Sequence, residues 1–192
     1  MRNHEKLTVV QASILELDDT EMARLVAGCS AVASCLGHNM TFKGLFGPPR
    51  RLVAEATRRL CAAIHANQPE DLVKFALKNT TANFNRDLVE HRSFRQRLVI
   101  GLVRLVLPPH GDIEQAADYL RTVVGQSDPD IEWAAVRPDT LIDLDDVTDI
   151  DIHKSPTRAP IFAAGRTSRI NVAQVLVFRQ TSIILLSFLV GI

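Results

Sequence analysis

Ile131-Glu132-Trp133-Ala134-Ala135-Val136-Arg137-Pro138-Asp139-Thr140-Leu141 is the stretch on which the fold turns. Ile131 to Val136 is almost continuously apolar, and Pro138 bounds it. Such a run fits a strand covered on both faces, as in parallel sheets, and not one that alternates between core and water. Runs of the same kind recur upstream at Leu7 to Gln11, at Ala31 to Leu36 (closed by Gly37) and at Leu72 to Leu77 (after Pro69).

Segments of helical period separate these runs. Asp18, Asp19 or Thr20 can cap a helix from Glu21 to about Ala27, ended by Gly28. Pro48 or Pro49 can open a second helix, in which Leu52, Val53, Ala56, Leu60 and Ile64 share one face and Arg50, Arg51, Arg58 and Arg59 face water. Asn79 to Asn85 is turn-like. A helix is expected from about Asp87 to Val106, stopping before Pro108 and Pro109, and Asp112 is expected to cap the next, Ile113 to Val124. Asp143 to Asp151 is an acidic loop or edge strand, Ile161–Phe162 a short fifth strand, and a last helix starts near Asn171. Strand alternating with helix predicts an α/β fold: a partial Rossmann-like domain with a mainly parallel sheet flanked by helices.

The chain has 192 residues, enough to bury a core in one domain. Its 22 basic and 22 acidic residues cancel, so it lacks the basic excess of a nucleic-acid binder, and no nucleic-acid partner is expected. Cys29, Cys35 and Cys61 leave one thiol over in any pairing, which points to a reducing, cytoplasmic setting. Cys35 and Cys61 read as small buried hydrophobes. No four-ligand pattern for a metal is present, so none is expected. Residues 179–192 form a hydrophobic tail with no charge after Arg179. It reads as a buried element, as a sticky appendage or, least of the three, as a membrane anchor, because the uncharged run is shorter than the roughly 20 residues a spanning helix needs.

In open parallel sheets ligands bind beyond the carboxyl ends of the strands. Those ends carry Ser13 and Ile14; Cys35, Leu36, Gly37 and His38; Asn79, Thr80 and Thr81; and Arg137, Pro138, Asp139 and Thr140. Gly37 lets a backbone approach a ligand closely, and Thr80 or Thr81 offers a hydroxyl to a carbonyl or ribose. The alternative is that these are ordinary turn residues. Arg137 has two such readings: a tie from its planar donors to the Thr80–Asn83 turn, or a ligand contact.

Three of these stretches resemble the atypical short-chain dehydrogenases/reductases. Ser34-Cys35-Leu36-Gly37-His38 is similar to the cofactor-facing end of that family's fourth strand. Trp133 to Leu141 resembles its late strand and Arg-Pro-Gly turn, with Asp139 in place of glycine. Ser168-Arg169-Ile170-Asn171-Val172-Ala173 resembles its Ser-Arg-x-Asp-Val-Ala helix start, with Asn171 for the acid. Val9 to Ser13 resembles the end of its third strand, where Ala12 and Ser13 replace Gly-Asp. The resemblance implies an NAD or NADP cofactor, bound weakly at the strand-end residues, in an incomplete cofactor domain over residues 1–178. The family's first two strands and glycine-rich turn precede the segment matching Leu7, and no GxxGxxG occurs in the chain.

The family's Tyr and Lys four residues apart are also absent, since Tyr119 is followed by Val123. Tyr119 therefore reads as a packing residue, the catalytic residues stay unassigned, and Thr80 is the group placed to polarise a carbonyl. The resemblance implies hydride transfer with a small organic substrate at weakened or absent activity. The alternatives are a non-catalytic binding or regulatory protein with a protein partner, or an inactive truncated product.

Overall fold

The computed structural model describes residues 7–39, 41–83, 85–88, 90, 94–159, 163–178 and 188–191. The chain builds an α/β fold in which β1 (Ala31–Ser34), β2 (Val73–Lys78), β3 (Ile131–Pro138) and β7 (Phe188–Gly191) run parallel. β5 (Asp151–His153) closes the far side antiparallel to β7, giving the order β1-β2-β3-β7-β5. A separate parallel pair joins β4 (Thr140–Ile142) to β6 (Arg166–Ser168).

The registers put successive residues of β2 on opposite faces of the sheet. Val73, Phe75 and Leu77 stand beside Ile131, Trp133 and Ala135, and all of these except Ala135 belong to the larger core. Its other wall is α1 (Asp19–Val26), α3 (Leu52–Ala66) and α5 (Pro108–Tyr119), with a π-helical turn at Leu120–Val124. Ala76 and Val136 point the other way, against Val172, Val175 and Leu176 of α6 (Arg169–Phe178).

Local chemistry sets the helix ends. Asp18 accepts from the Glu21 amide at 2.7 Å while Glu21 accepts from the Asp18 amide at 3.2 Å, a capping box that starts α1. Gly28, at φ 70°, turns the chain out of the helix in a conformation other residues adopt only with strain. α3 buries Val53, Ala56, Leu60, Cys61 and Ile64 along one face, as its periodicity predicts.

Several expectations need correction. Leu7 to Gln11 is not a strand: it has no regular structure, and Leu7, Val9 and Val10 are more than half exposed. A strand needs a hydrogen-bonding neighbour as well as β-propensity, and none of the described strands pairs with it. A short helix, α2 (Phe42–Phe46), precedes the proline pair, and the next begins at Leu52, beyond Pro48 and Pro49. α4 (Phe94–Val106) starts later than Asp87, whose amide is taken by the Asn85 carboxamide oxygen in a turn. Asp112 caps no helix of its own, because Pro108 already opens α5 and leaves Asp112 inside it. Arg59 is not on a wet face: its guanidinium donates to the Ile14 and Leu17 carbonyls and bridges the pre-α1 turn to α3. Cys61 is buried as expected, but Cys35 is exposed.

The Ile161–Phe162 strand and most of the tail lie outside the described residues. Of the tail, residues 188–191 are the strand β7. Among the described residues no helix is long and apolar enough to cross a membrane.

Candidate functional site

The parallel strands end on one side of the sheet, and their exits knit together. The Asn79 amide donates to the Val136 carbonyl at 2.7 Å, and the Thr81 amide to the Pro138 carbonyl at 3.3 Å, so the ladder between β2 and β3 continues past both strands. The Asn79 side-chain oxygen accepts from the Thr80 amide at 2.8 Å and from the Asn83 carboxamide at 2.5 Å. The turn after β2 is thus tied from within. Asn79 and Thr81 are buried, whereas Thr80 is half-buried and accepts only a long 3.4 Å contact from the Ala82 amide.

Arg137 lies under this turn with its side chain 2% exposed. It donates to the Asn83 carbonyl at 3.0 Å and to the Lys154 carbonyl at 3.3 Å, and it pairs with Glu90 at 2.7 Å. The tie to the turn predicted from its planar donors is present. Its partners Glu90 and Lys154 were not foreseen, since both arrive from irregular segments.

Next to it, burial raises the Asp139 carboxyl above the ordinary aspartate range, opposed by a Thr81 hydrogen bond and the Arg158 guanidinium. A side chain at Gly165 would collide with the Asp139 carboxylate, so glycine is what lets the 165 backbone pass. Thr140 is exposed, and its amide donates to the Gly165 carbonyl at 3.2 Å.

At the exit of β1, Leu36 packs on the core while Cys35 and Gly37 are exposed. A Cβ placed on Gly37 would meet nothing within 4 Å, so its backbone faces open space. His38 turns inward, its Nε2 2.7 Å from Asp112 with 6% of its side chain exposed. The exposed Ser13 lends its carbonyl to the amides of Glu16 and Leu17, and Ile14 lends its own to Arg59 at 2.6 Å. The strand exits of β1, β2 and β3 therefore lie along one edge, whereas Ser13 and Ile14 are engaged in fastening the start of α1.

Lys78 was not singled out in the sequence. It stands at the end of β2, one residue past the Ser34–Leu77 register pair and so level with Cys35. Burial lowers its ammonium pKa, the Cys35 thiol opposes this, and Arg169 adds to it. The signal available was an amine one step before the Asn79–Thr81 turn. Tyr119 packs against the core, where burial raises its phenol.

A cavity of about 320 Å³ opens between the core face of the sheet and α5. Asn79, Trp133, Arg137, Ala117 and Arg121 line it together with residues 85–88.

Comparison with known proteins gives a consistent picture. A family model described as NAD(P)H-binding matches residues 1–178. No curated protein matches the sequence. Among solved structures, the oxidoreductase ylbE from Lactococcus lactis is 14% identical, with 99% of this chain aligned to 74% of that one at a TM-score of 0.61. A short-chain dehydrogenase/reductase from Veillonella parvula, solved in complex with NADP, gives 14%, 99%, 74% and 0.61 in the same order. A Streptococcus pneumoniae protein designated an NADH-flavin reductase is 13% identical, with 100% of this chain aligned to 83% of that one at a TM-score of 0.60. These likenesses concern the fold alone: a Rossmann-like α/β domain.

Proposed function

The chain belongs to the NAD(P)H-binding family, and from that premise we propose that it is an oxidoreductase-like domain that takes NADH or NADPH across the carboxyl ends of β1, β2 and β3. One observation carries the reading: three parallel strands end side by side, and the groups left open there are the Gly37 backbone, the Cys35 thiol and the Thr80 and Thr140 hydroxyls. The open space over Gly37 fits a bound nucleotide, which needs close backbone approach. The cofactor, when bound, supplies the hydride.

This chain's own residues orient and polarise. Thr80 would hold a substrate carbonyl by its hydroxyl. Lys78, with its lowered ammonium pKa, stands two residues before and is a proton source that the missing Tyr-Lys pair does not provide. The substrate is a small organic carbonyl compound or the corresponding alcohol. Three free thiols support a reducing, cytoplasmic setting.

Calorimetric titration of the folded chain with NADH and with NADPH tests the proposal. Saturable binding of either, weakened in Gly37→Val, is the expected outcome. No saturable heat with either nucleotide rejects it. A second reading, a non-catalytic binding module, is favoured by the edge of β1, which pairs only with β2 among the described residues. It predicts no turnover of carbonyl substrates even when the nucleotide binds.

A further inference from the structure

We infer that the free edge of β1 is a self-association surface: two copies of this chain pair β1 to β1, antiparallel about a two-fold axis at Val32, and so join their sheets into one. β1 pairs with β2 and with no other strand among the described residues. The edge is four residues long and buries little, so the association is weak and depends on concentration.

The first argument is which backbone groups the edge leaves open. The Lys74 amide donates to the Ser30 carbonyl at 3.1 Å, and the register sets Ala31 beside Lys74. Backbone direction alternates along a strand, so Val32 and Ser34 turn their N–H and C=O groups toward β2, and Ala31 and Ala33 turn theirs away from it. Among the described residues no strand or loop takes up the outward groups of Ala31 or Ala33. Both ends of the strand stand clear as well: a Cβ on Gly28 or on Gly37 would meet nothing within 4 Å.

The second argument is what the edge lacks. Edge strands that stay unpaired are guarded by lysine, proline, a bulge or an inward-pointing charge. No Asp, Glu, Lys, Arg or Pro occurs between Arg24 and Lys43, and the β1–β2 register runs without a bulge. An uncharged edge meets its own copy without repulsion, whereas a charged peptide finds no counter-charge on it. The third argument is register. A two-fold axis at Val32 sets Ala31 opposite the partner's Ala33, and each such pair exchanges both of its N–H···O bonds through the groups that β2 leaves free. The same axis sets Cys29 opposite the partner's Cys35, and both thiols are exposed.

Sedimentation equilibrium of the full chain from about 1 μM to 1 mM is expected to show monomer and dimer in exchange. Ala33→Pro removes an outward N–H without taking a bond from β2, and Ala33→Lys puts a charge on the edge. Each folded variant is expected to weaken the dimer by about tenfold or more. A short bismaleimide reads the register. Within one chain Cys29 and Cys35 lie about 20 Å apart along the strand, too far for the reagent to bridge. Cys61 is buried and does not compete. Cys29→Ser alone and Cys35→Ser alone are expected to give no covalent dimer. A mixture of the two is expected to give one, because one chain then supplies Cys35 and the other Cys29. A monomer over the whole concentration range, a dimer that neither Ala33 variant weakens, or equal crosslinking of the single variants and their mixture overturns the inference. A dimer with this register that does not bind NADPH leaves it standing and rejects the cofactor reading alone.

Discussion

Arg137 shows what a single side chain does at the heart of this fold. Its guanidinium and the Glu90 carboxylate are each 2% exposed and 2.7 Å apart, so both have left water and depend on one another. Removing one partner of such a pair strands the other, at a cost of about 3–5 kcal/mol. Arg137→Leu should therefore lower the urea midpoint sharply. Arg137→Leu combined with Glu90→Leu should recover a substantial part of that loss, because no unpaired charge stays buried. Additive losses in the double variant would show that the pair is not coupled. The sequence made the arginine's reach to the Asn83 turn legible, because two adjacent parallel strands must bring their exits together. It could not supply Glu90 or Lys154, which have no periodicity to place them. Arg59 was misread for a related reason: a helical wheel says which face a residue lies on, not which loop will cover that face.

Among the elements, α3 begins with no side-chain cap of its own. The Asp112 carboxylate supplies it from α5, accepting from the Val53 amide at 2.8 Å and the Ala54 amide at 2.9 Å. It also meets His38 Nε2 at 2.7 Å, so one buried carboxylate joins the β1 exit, α3 and α5. The negative charge sits where the helix macrodipole favours it. Asp112→Ala should cost about 1–3 kcal/mol, since it strands buried amides and loosens His38. Asp112→Asn, which keeps one acceptor, should cost about half as much. Equal and negligible losses in urea unfolding would deny the capping role. Here the sequence showed an aspartate near a helix start and assigned it to the nearest helix. The long helices were legible because burial imposes a period over many residues, and β1, β2 and β3 because each lies in a nearly continuous apolar run. β4, β5, β6 and β7 are three or four residues long, too short for any period to show. Leu7 to Gln11 failed in the opposite direction: its composition suits a strand, but no described strand lies beside it.

For the whole molecule, the α/β class and the parallel sheet followed from local patterns, whereas the antiparallel closure by β5 depends on contacts between segments far apart in the chain. Its response to alkali also belongs to this scale, because it sums groups from several elements. Burial pushes the Cys61 thiol up to about 12 from an ordinary value near 9. Burial also raises the Tyr119 phenol, and partial loss of its water raises the Cys35 thiol although the residue is exposed. Each of these acids holds its proton in the folded state at a pH where the unfolded chain has released it. The folded state then binds more protons, so stability falls as pH rises through that window. Lys78 acts in the opposite sense. Its lowered pKa means that the unfolded chain binds the extra proton below the ordinary lysine value, so its contribution improves with rising pH. The thiol should dominate, because Cys61 is fully buried whereas Lys78 keeps partial contact with water. Its slope is about 1.4 kcal/mol per pH step between roughly 9 and 12. Urea unfolding of the parent chain should show a midpoint that declines steadily above pH 9, and Cys61→Ala, despite a cavity cost at neutral pH, should show a shallower decline. Identical alkaline slopes in the two chains would mean that the thiol is not held protonated by the core.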